Sequence, residues 1–332
     1  SKTRYGNPKS SDKVNAEIYH SQRATWLNEN ILTYQTNIKR KHFFNSMVGV
    51  TLQNSDYEYY SYKTVQIPNE ALGMAGMSEG TPSTTKSLKS SWSMLSFLGR
   101  LNYNYKSLYY ATVSFRSDGS SKFPKNSRFG FFPSVSAGWR ISEEAFMKPL
   151  NSVLSNLKLR GSWGNIGNQS ITPYAYIPGM DAEQAYWTVS GIKVTTLKPA
   201  ALVSNSFTWE KVTTIDVGFD LGLLDNRLNM VFDWYRRDTK GMLAPGSELP
   251  GVLGASAPLQ NTADLRSKGW EISVDWNDQI GKVKYSIGFN LYDAKTKITK
   301  YNNETGLFGK DKNDNETCLL YTSPSPRDLS TS

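Results

Sequence analysis

The chain of 332 residues contains very little cysteine and histidine, and it has no long apolar run. Its only cysteine is Cys318, near the carboxyl end, so a disulfide scaffold and a cysteine-based zinc site are excluded. The two histidines, His20 and His42, have no companion at ligand spacing, which argues against a zinc or iron site. No run reaches the roughly 18 uninterrupted apolar residues of a membrane-spanning helix, so a helical membrane protein is excluded as well.

The sequence begins at Ser1 without an initiator methionine or an export signal. An exported protein needs such a segment at its amino end. Either the protein is not exported or its amino-terminal part is missing; we expect the second, so that this chain is a fragment of a longer protein.

The sequence motifs of enzyme chemistry are incomplete. The S-x-x-K matches that begin at Ser10, Ser83 and Ser155 lack the S-D-N and K-T-G partners of penicillin-recognising enzymes. The Gly-rich run at 164–168 lacks the lysine of a phosphate loop, and the acidic run from 311 has Glu316 where a calcium loop needs glycine. We therefore predict no catalytic, cofactor-binding or metal-binding residues, and no enzyme activity.

The composition favours a particular kind of sheet. Hydrophobic residues are only 38% of the chain, yet aromatic residues reach 13%, with 19 Tyr and 9 Trp. Few aliphatic and many ring side chains suit a sheet with one apolar face and interfacial aromatic girdles better than a two-layer core. The net charge is +9, but the 38 basic residues are scattered among 29 acids, so we expect no nucleic-acid partner.

Residues 109–144 show the pattern most clearly, as two runs of alternating side chains around a polar loop. Side chains of a strand point to opposite faces in turn, so each run has one apolar and one polar face. The pattern predicts a long hairpin. Its apolar positions are Tyr109, Ala111, Val113 and Phe115 on the first arm, and Val135, Ala137 and Trp139 on the second.

The same alternation recurs along the chain and predicts about ten long antiparallel strands joined alternately by short turns and long loops. Acidic side chains stay on the polar face, as at Asp216, Asp220 and Asp233. Outer-membrane barrels have short periplasmic turns, long extracellular loops and a water-filled interior. We therefore predict an all-β fold, a partial transmembrane antiparallel β-barrel. A soluble antiparallel sheet with one wet face is the alternative.

The expected domains are a polar lead-in loop at 1–21, a partial barrel at 22–300 and an irregular tail at 301–332. Residues 317–332 have no strand period and a Ser/Pro character unlike the rest. We interpret them as non-native, with a genuine disordered end as the alternative.

Aromatic residues in the long segment 165–205 are the candidate ligand contacts. They are Tyr174, Tyr176, Tyr186 and Trp187. Ring faces stack on sugars or on peptide side chains. The alternative is that these rings pack the loops against one another.

Three stretches carry a resemblance to a known family. They are 109–144, with Ser117-Asp118-Gly119-Ser120-Ser121 and Gly138-Trp139-Arg140, then 157–169, which opens with Leu157-Lys158-Leu159-Arg160-Gly161, and finally Lys268-Gly269-Trp270-Glu271. In these stretches the chain resembles the SusC/RagA family of TonB-dependent outer-membrane transporters. The resemblance runs from about residue 20 to about residue 300.

The resemblance implies a cell-outer-membrane barrel of about 22 strands, of which this chain would supply about ten. It also implies an N-terminal plug, energy from TonB, a SusD-like surface lipoprotein partner, and import of glycans or peptides in Bacteroidota. The plug and the TonB box would lie outside this chain. We expect an open sheet with two unpaired edges.

Two other functions are alternatives to transport, and the sequence supports the first better than the second. An outer-membrane adhesin or structural β-protein without active transport would have the same strands and loops. A hydrolytic enzyme in a β-barrel would need a Ser/His pair or paired acids, and the sequence offers no such cluster.

Overall fold

The structure, a computed structural model, describes residues 14–68, 70–150, 152–180, 182–198, 200–204, 208–246, 249–253, 257–301, 307–310 and 316–318. Within these ranges, strands and short 3₁₀ helices make up the regular structure. None of the described helices is both long and apolar enough to cross a bilayer.

Strands dominate the chain. They are β1 (Val14–Ile38), β2 (His42–Ile67), β3 (Thr81–Tyr105), β4 (Tyr109–Ser120), β5 (Phe129–Arg140), β6 (Leu154–Asn168), β7 (Ala182–Val189), β8 (Ile192–Leu197), β9 (Glu210–Leu223), β10 (Leu228–Pro245), β11 (Leu259–Ile280), β12 (Val283–Tyr301), β13 (Leu307–Lys310) and β14 (Glu316–Cys318). The 3₁₀ helices are Glu70–Ser78, Lys125–Ser127, Ile141–Glu143, Ala145–Leu150 and Gly251–Leu253.

Ten strands form one sheet in the order β1-β2-β3-β4-β5-β6-β9-β10-β11-β12. From β4 onward, consecutive pairs in this order are antiparallel. The predicted all-β fold with about ten long antiparallel strands is therefore confirmed. The strands β1 and β12 are the two edges of the sheet.

Connections alternate in length along most of the chain, as predicted; the exception is the β5–β6 connection at 141–153, which is longer than the β4–β5 connection at 121–128. Short ones occupy 39–41, 106–108, 224–227 and 281–282, and longer ones occupy 68–80, 169–209 and 246–258. The tight turns need left-handed backbone, which the structure places at Lys106 (φ 50°), Asp225 (φ 58°) and Gly281 (φ 60°). In the sheet from β4 to β12, we name the two ends the short-turn end and the long-loop end.

Two local details differ from the sequence-based expectations. The strand β1 starts at Val14, earlier than about Gln22, because residues 14–21 contain Val, Ile and Tyr but no Gly or Pro to end a strand. The long segment 165–205 contains the β7–β8 hairpin, which the sequence pattern did not predict. Ser190 (φ 53°) and Gly191 (φ 80°) form its turn, and so short a hairpin lacks a long alternating pattern.

The apolar positions of the strands remain exposed. Register pairs Tyr109 with Trp139 and Val113 with Val135, so the two arms of the hairpin share one apolar face. Val113 is 54% exposed, and Ile287 on β12 is 64% exposed. Exposed apolar rows of this length are unusual for a soluble sheet, since water penalises them.

The chain divides into two units. The first comprises residues 1–28 and 52–94, and its described part is held by polar contacts: Lys89 Nζ lies 2.8 Å from Glu58 Oε1, and the Ser93 hydroxyl donates to Asn54 Oδ1 at 2.8 Å. The second comprises residues 29–51 and 95–332, and contains the sites described below.

The described part of the tail, residues 307–310 and 316–318, forms two short strands. β13 pairs with β14 in a separate two-stranded sheet, whose backbone includes Thr317 and Cys318. Residues 319–332, most of the stretch interpreted as non-native, lie outside the described residues. The proposed boundaries of the domains stay predictions.

Candidate functional site

The polar face of the sheet is organised around one guanidinium group. Register aligns Arg160 on β6 with Gly218 on β9, and Gly218 with Asp233 on β10. Because Gly218 has no side chain, Arg160 can cross β9: its Nε lies 2.9 Å from Asp220 Oδ1, and its Nη2 lies 2.7 Å from Asp233 Oδ2. The ion pairs therefore tie three strands together on the face that the sequence predicted to be polar.

Further carboxylates surround this network. Asp233 is paired in register with Glu271 of β11, and Asp216 is paired with Ser162 of β6. Asp233 is only 9% exposed, and its Oδ1 atom is buried without a hydrogen-bond partner among the described residues. This part of the polar face is therefore acidic overall. Within the described part of the chain, no group of His, Cys, Asp and Glu side chains is arranged to hold a metal ion.

A second polar cluster lies on β3 and β4. The Arg116 Nε atom lies 2.7 Å from Asp118 Oδ1, and its Nη2 donates to Ser96 Oγ at 3.1 Å. Ser96 is fully buried, and Asp118 is nearly so. The pair thus stabilises the polar face close to the long-loop end.

The long loops are held by a small apolar cluster, the loop core, which consists of Phe123, Phe132, Ile171 and Trp209. The rings of Phe123 and Trp209 have centroids 4.9 Å apart. The Trp209 indole donates to the carbonyl oxygen of Arg128 at 2.8 Å, so its polar atom is satisfied. Because Phe132 belongs to β5, the loop core anchors the long loops to the sheet.

The candidate ligand aromatics do not form one cluster. Tyr176 packs against the loop core, as the alternative interpretation expected. Trp187, on β7, is 60% exposed, and Tyr174 is also exposed, with left-handed backbone. The side chain of Tyr186 lies outside the described residues. Of the described members, Trp187 and Tyr174 present ring surface to solvent.

The apolar face carries a row of rings near the short-turn end, the ring row. It contains His42, Tyr103, Tyr105, Tyr109 and Trp139. Neighbouring rings have centroids 4.8 to 6.3 Å apart, which is the usual range for favourable aromatic pairs.

Glu144, between two 3₁₀ helices, closes this row at the short-turn end. It accepts hydrogen bonds from the Tyr109 hydroxyl (2.5 Å) and from the Trp139 indole (3.1 Å). The Tyr109 hydroxyl, followed by the Trp139 indole, holds the pKa of Glu144 below its usual range, because both donors favour the ionised carboxylate.

Sequence reasoning found the polar face but missed its ion pairs. The sequence alone does not show that the carboxylates lie close together, because they belong to different strands. Alternation assigns a side chain to a face, but only the register shows that Arg160 reaches both Asp220 and Asp233. The loop core was missed because Phe132 occupies a polar-face position, and Trp209 lies just before β9.

Comparisons with known proteins agree with this architecture. The sequence model of the family described as "TonB dependent receptor-like, beta-barrel" matches residues 1–324. TonB-dependent receptor P26 of Formosa agariphila is 34% identical over 264 residues, which are 79% of this chain and 26% of that protein. TonB-dependent receptor SusC of Bacteroides thetaiotaomicron is 36% identical over 211 residues, which are 62% of this chain and 21% of that protein.

A solved structure shows the same fold. The RagAB peptide importer in the "open-open" state aligns over 92% of this chain and 33% of that chain, with a TM-score of 0.79 and 21% identity. Our chain spans about a quarter of the length of the curated relatives it matches. Its ten-stranded sheet is part of a barrel, and the expected SusC/RagA resemblance is confirmed. The chain belongs to the TonB-dependent receptor-like β-barrel family.

Proposed function

We propose that this chain forms part of the wall of an outer-membrane TonB-dependent transporter of the SusC/RagA type. In this proposal the apolar face contacts lipid, and the polar face lines the interior. The observation that carries it is the chemical contrast between the two faces of one sheet: exposed rings and aliphatic groups on one, and the Arg160 ion pairs on the other. A sheet that spans a membrane as part of a barrel has an apolar face toward the lipid and a polar face toward the interior.

The proposed substrates are peptides or oligosaccharides, taken up together with a SusD-like surface lipoprotein. The similarity of the fold to the RagAB peptide importer favours peptides, and the sequence similarity to TonB-dependent receptor SusC favours the same class of transporter. Energy would come from TonB through a region of the protein outside this chain.

Trp187 and Tyr174 are the proposed ligand contacts. Both lie in the connection between β6 and β9, and both rings are exposed. Tyr176 would instead hold this connection in place through the loop core. Tyr186 remains a candidate on the basis of the sequence.

The test is uptake by cells that carry the full-length receptor or a deletion of its gene. We expect uptake of labelled oligopeptides or oligosaccharides to require the gene, to stop when a protonophore collapses the proton gradient, and to fall severalfold in Trp187→Ala. A tagged receptor should also retain a surface lipoprotein through purification. Unchanged uptake of both substrate classes in the deletion strain, with loss of adhesion to a surface, would favour an adhesin instead.

A further inference from the structure

The apolar face changes character toward the long-loop end of β10, β11 and β12. Register pairs Phe232 with Ile272 and then Trp234 with Trp270. One step further along, the facing residues become basic. Arg236 is paired with Lys268, and Lys268 is paired with Lys295 on β12. The rows therefore run from apolar groups, through indoles, to cations.

The next row continues the positive charge, with Arg266 opposite Lys297. The two arginines share one acid: Asp238 Oδ2 lies 2.8 Å from Arg236 Nε, and Asp238 Oδ1 lies 2.5 Å from Arg266 Nε. Asp238 therefore fixes the guanidinium groups in place but leaves a positive excess.

In the described part of the chain, the three lysines of these rows are not bridged by a shared acid as the two arginines are. Among the described residues, none of Lys268, Lys295 and Lys297 takes part in a salt bridge. Lys268 and Lys295 also face each other directly across the strand pair. Like charges in that position destabilise a sheet, so an anion between them would offset an existing repulsion.

These lysines border a groove of about 420 Å³ on the same face, the lysine groove. Its lining combines the indoles of Trp234 and Trp270 with four basic side chains, Lys268, Lys295, Lys297 and Arg266, and with one acid, Asp293. Asp293 is paired in register with Trp270, so the groove has indoles and one acid toward the apolar rows and four cations toward the long loops, which leaves a positive excess.

We propose that the lysine groove binds the phosphate-bearing headgroup of a lipid in the leaflet on the long-loop side. Its acyl chains would lie along the apolar rows, the indoles would lie at the interface, and the lysines would contact the phosphate oxygens. Clustered basic groups at this depth are the usual partners of anionic lipid headgroups. The inference rests on the proposed membrane placement of the apolar face, but not on transport.

The test measures lipid retention by the full-length receptor in detergent, using native mass spectrometry. The probes are a diacyl phosphatidic acid, the matching diacylglycerol without phosphate, and inorganic phosphate. The variant is Lys268→Gln/Lys295→Gln/Lys297→Gln. Its matched control is Lys282→Gln/Lys284→Gln, at the opposite end of the same hairpin. Heat-modifiable migration in gels shows that each variant still forms a barrel.

We expect phosphatidic acid to bind the triple variant about a hundredfold more weakly than the parent, because each basic group near an anionic headgroup contributes about fivefold. The control variant should bind phosphatidic acid like the parent. The variant Lys268→Arg/Lys295→Arg/Lys297→Arg, which keeps the positive charges, should also bind it. Diacylglycerol should be retained poorly by all of them.

The inference would be wrong if the triple variant and the control variant retained phosphatidic acid equally. It would also be wrong if the parent retained diacylglycerol as well as it retains phosphatidic acid. Inorganic phosphate that binds as tightly as the lipid would show a free-anion site and also overturn it. A receptor that retains the lipid through the groove but fails in uptake would overturn the proposed transport alone.

Discussion

Arg160 Nη2 lies 2.7 Å from Asp233 Oδ2, although β6 and β10 are not adjacent strands, because β9 lies between them. The contact passes over Gly218, the one residue of β9 that is paired in register with both. A guanidinium group is long and flat enough to bridge this distance and to bind a second acid, Asp220, at the same time. The polar face is therefore tied across strands by one side chain.

Replacement of Arg160 should destabilise the sheet. In Arg160→Ala the mostly buried Asp233 loses its cation, and we expect a loss of about 1–3 kcal/mol in the free energy of unfolding, moderated because the pair is partly solvated. Guanidinium unfolding of the full-length protein in detergent measures it. The control is Arg227→Ala, whose contact with Asp278 is longer, at 3.6 Å, and exposed. Equal losses in the two variants would contradict the special role of Arg160.

Gly218 should not tolerate a side chain. A Cβ atom there would collide with Asp233 Oδ1 and lie 2.5 Å from the carbonyl oxygen of Phe232. Gly218→Ala should therefore cost about 1–3 kcal/mol, as overpacking does. Gly161→Ala is the matched change on the neighbouring strand, where the nearest atom, Asp216 O, would lie 3.8 Å away. A thermal melt in which both variants unfold at the same temperature would refute the prediction.

The loop core should be separable from the sheet. Phe123 is fully buried there, so Phe123→Ala should remove about 3–5 kcal/mol of local stability. Limited proteolysis should then cut within 169–209 much faster, while the melting temperature of the barrel changes little. Phe129→Ala removes the same ring from an exposed position and should leave cleavage unchanged. A large drop in the melting temperature would mean that the loop core supports the whole sheet.

Glu144 should make the stability of the folded protein depend on pH. Its pKa is lowered in the folded protein, first by the Tyr109 hydroxyl and then by the Trp139 indole. The stabilisation is therefore complete above the ordinary pKa of 4.5 and is lost as the pH falls through the lower, folded value. Denaturant midpoints of the parent and Glu144→Gln should differ by a constant amount near neutral pH and converge in acid.

Tyr109→Phe provides the second variant for this pair, because it removes the main donor and keeps the ring. Its acid-dependent loss should be smaller than that of the parent. If the parent and both variants follow the same curve from neutral pH to strong acid, the hydrogen bonds to Glu144 do not contribute to stability.

The faces and the number of strands were predictable, because each rests on a local pattern. The alternation at 215–221 places Ile215 and Phe219 on one face and Asp216 and Asp220 on the other, and the structure agrees. The start of β1 was less predictable, since no breaker precedes Gln22 within the strand.

The contacts across strands could not be derived in this way. Whether Asp233 lies beside Arg160 depends on the turn at 224–227, which sets how β9 and β10 are shifted against each other. The loop core depends on side chains far apart in the sequence, such as Phe123 and Trp209. A contact between residues this far apart produces no pattern in a short stretch of sequence.

The ring row bears on the proposed position of the sheet in the membrane. Stacked side chains on β2, β3, β4 and β5 form a continuous belt across four strands, and Glu144 links it to the turn that follows β5. In the proposed membrane placement this belt would lie at the lipid–water interface, and its ring contacts would favour movement of these strands together. A bilayer of another thickness would have to adapt its own lipids around this part of the sheet, or tilt it as a unit.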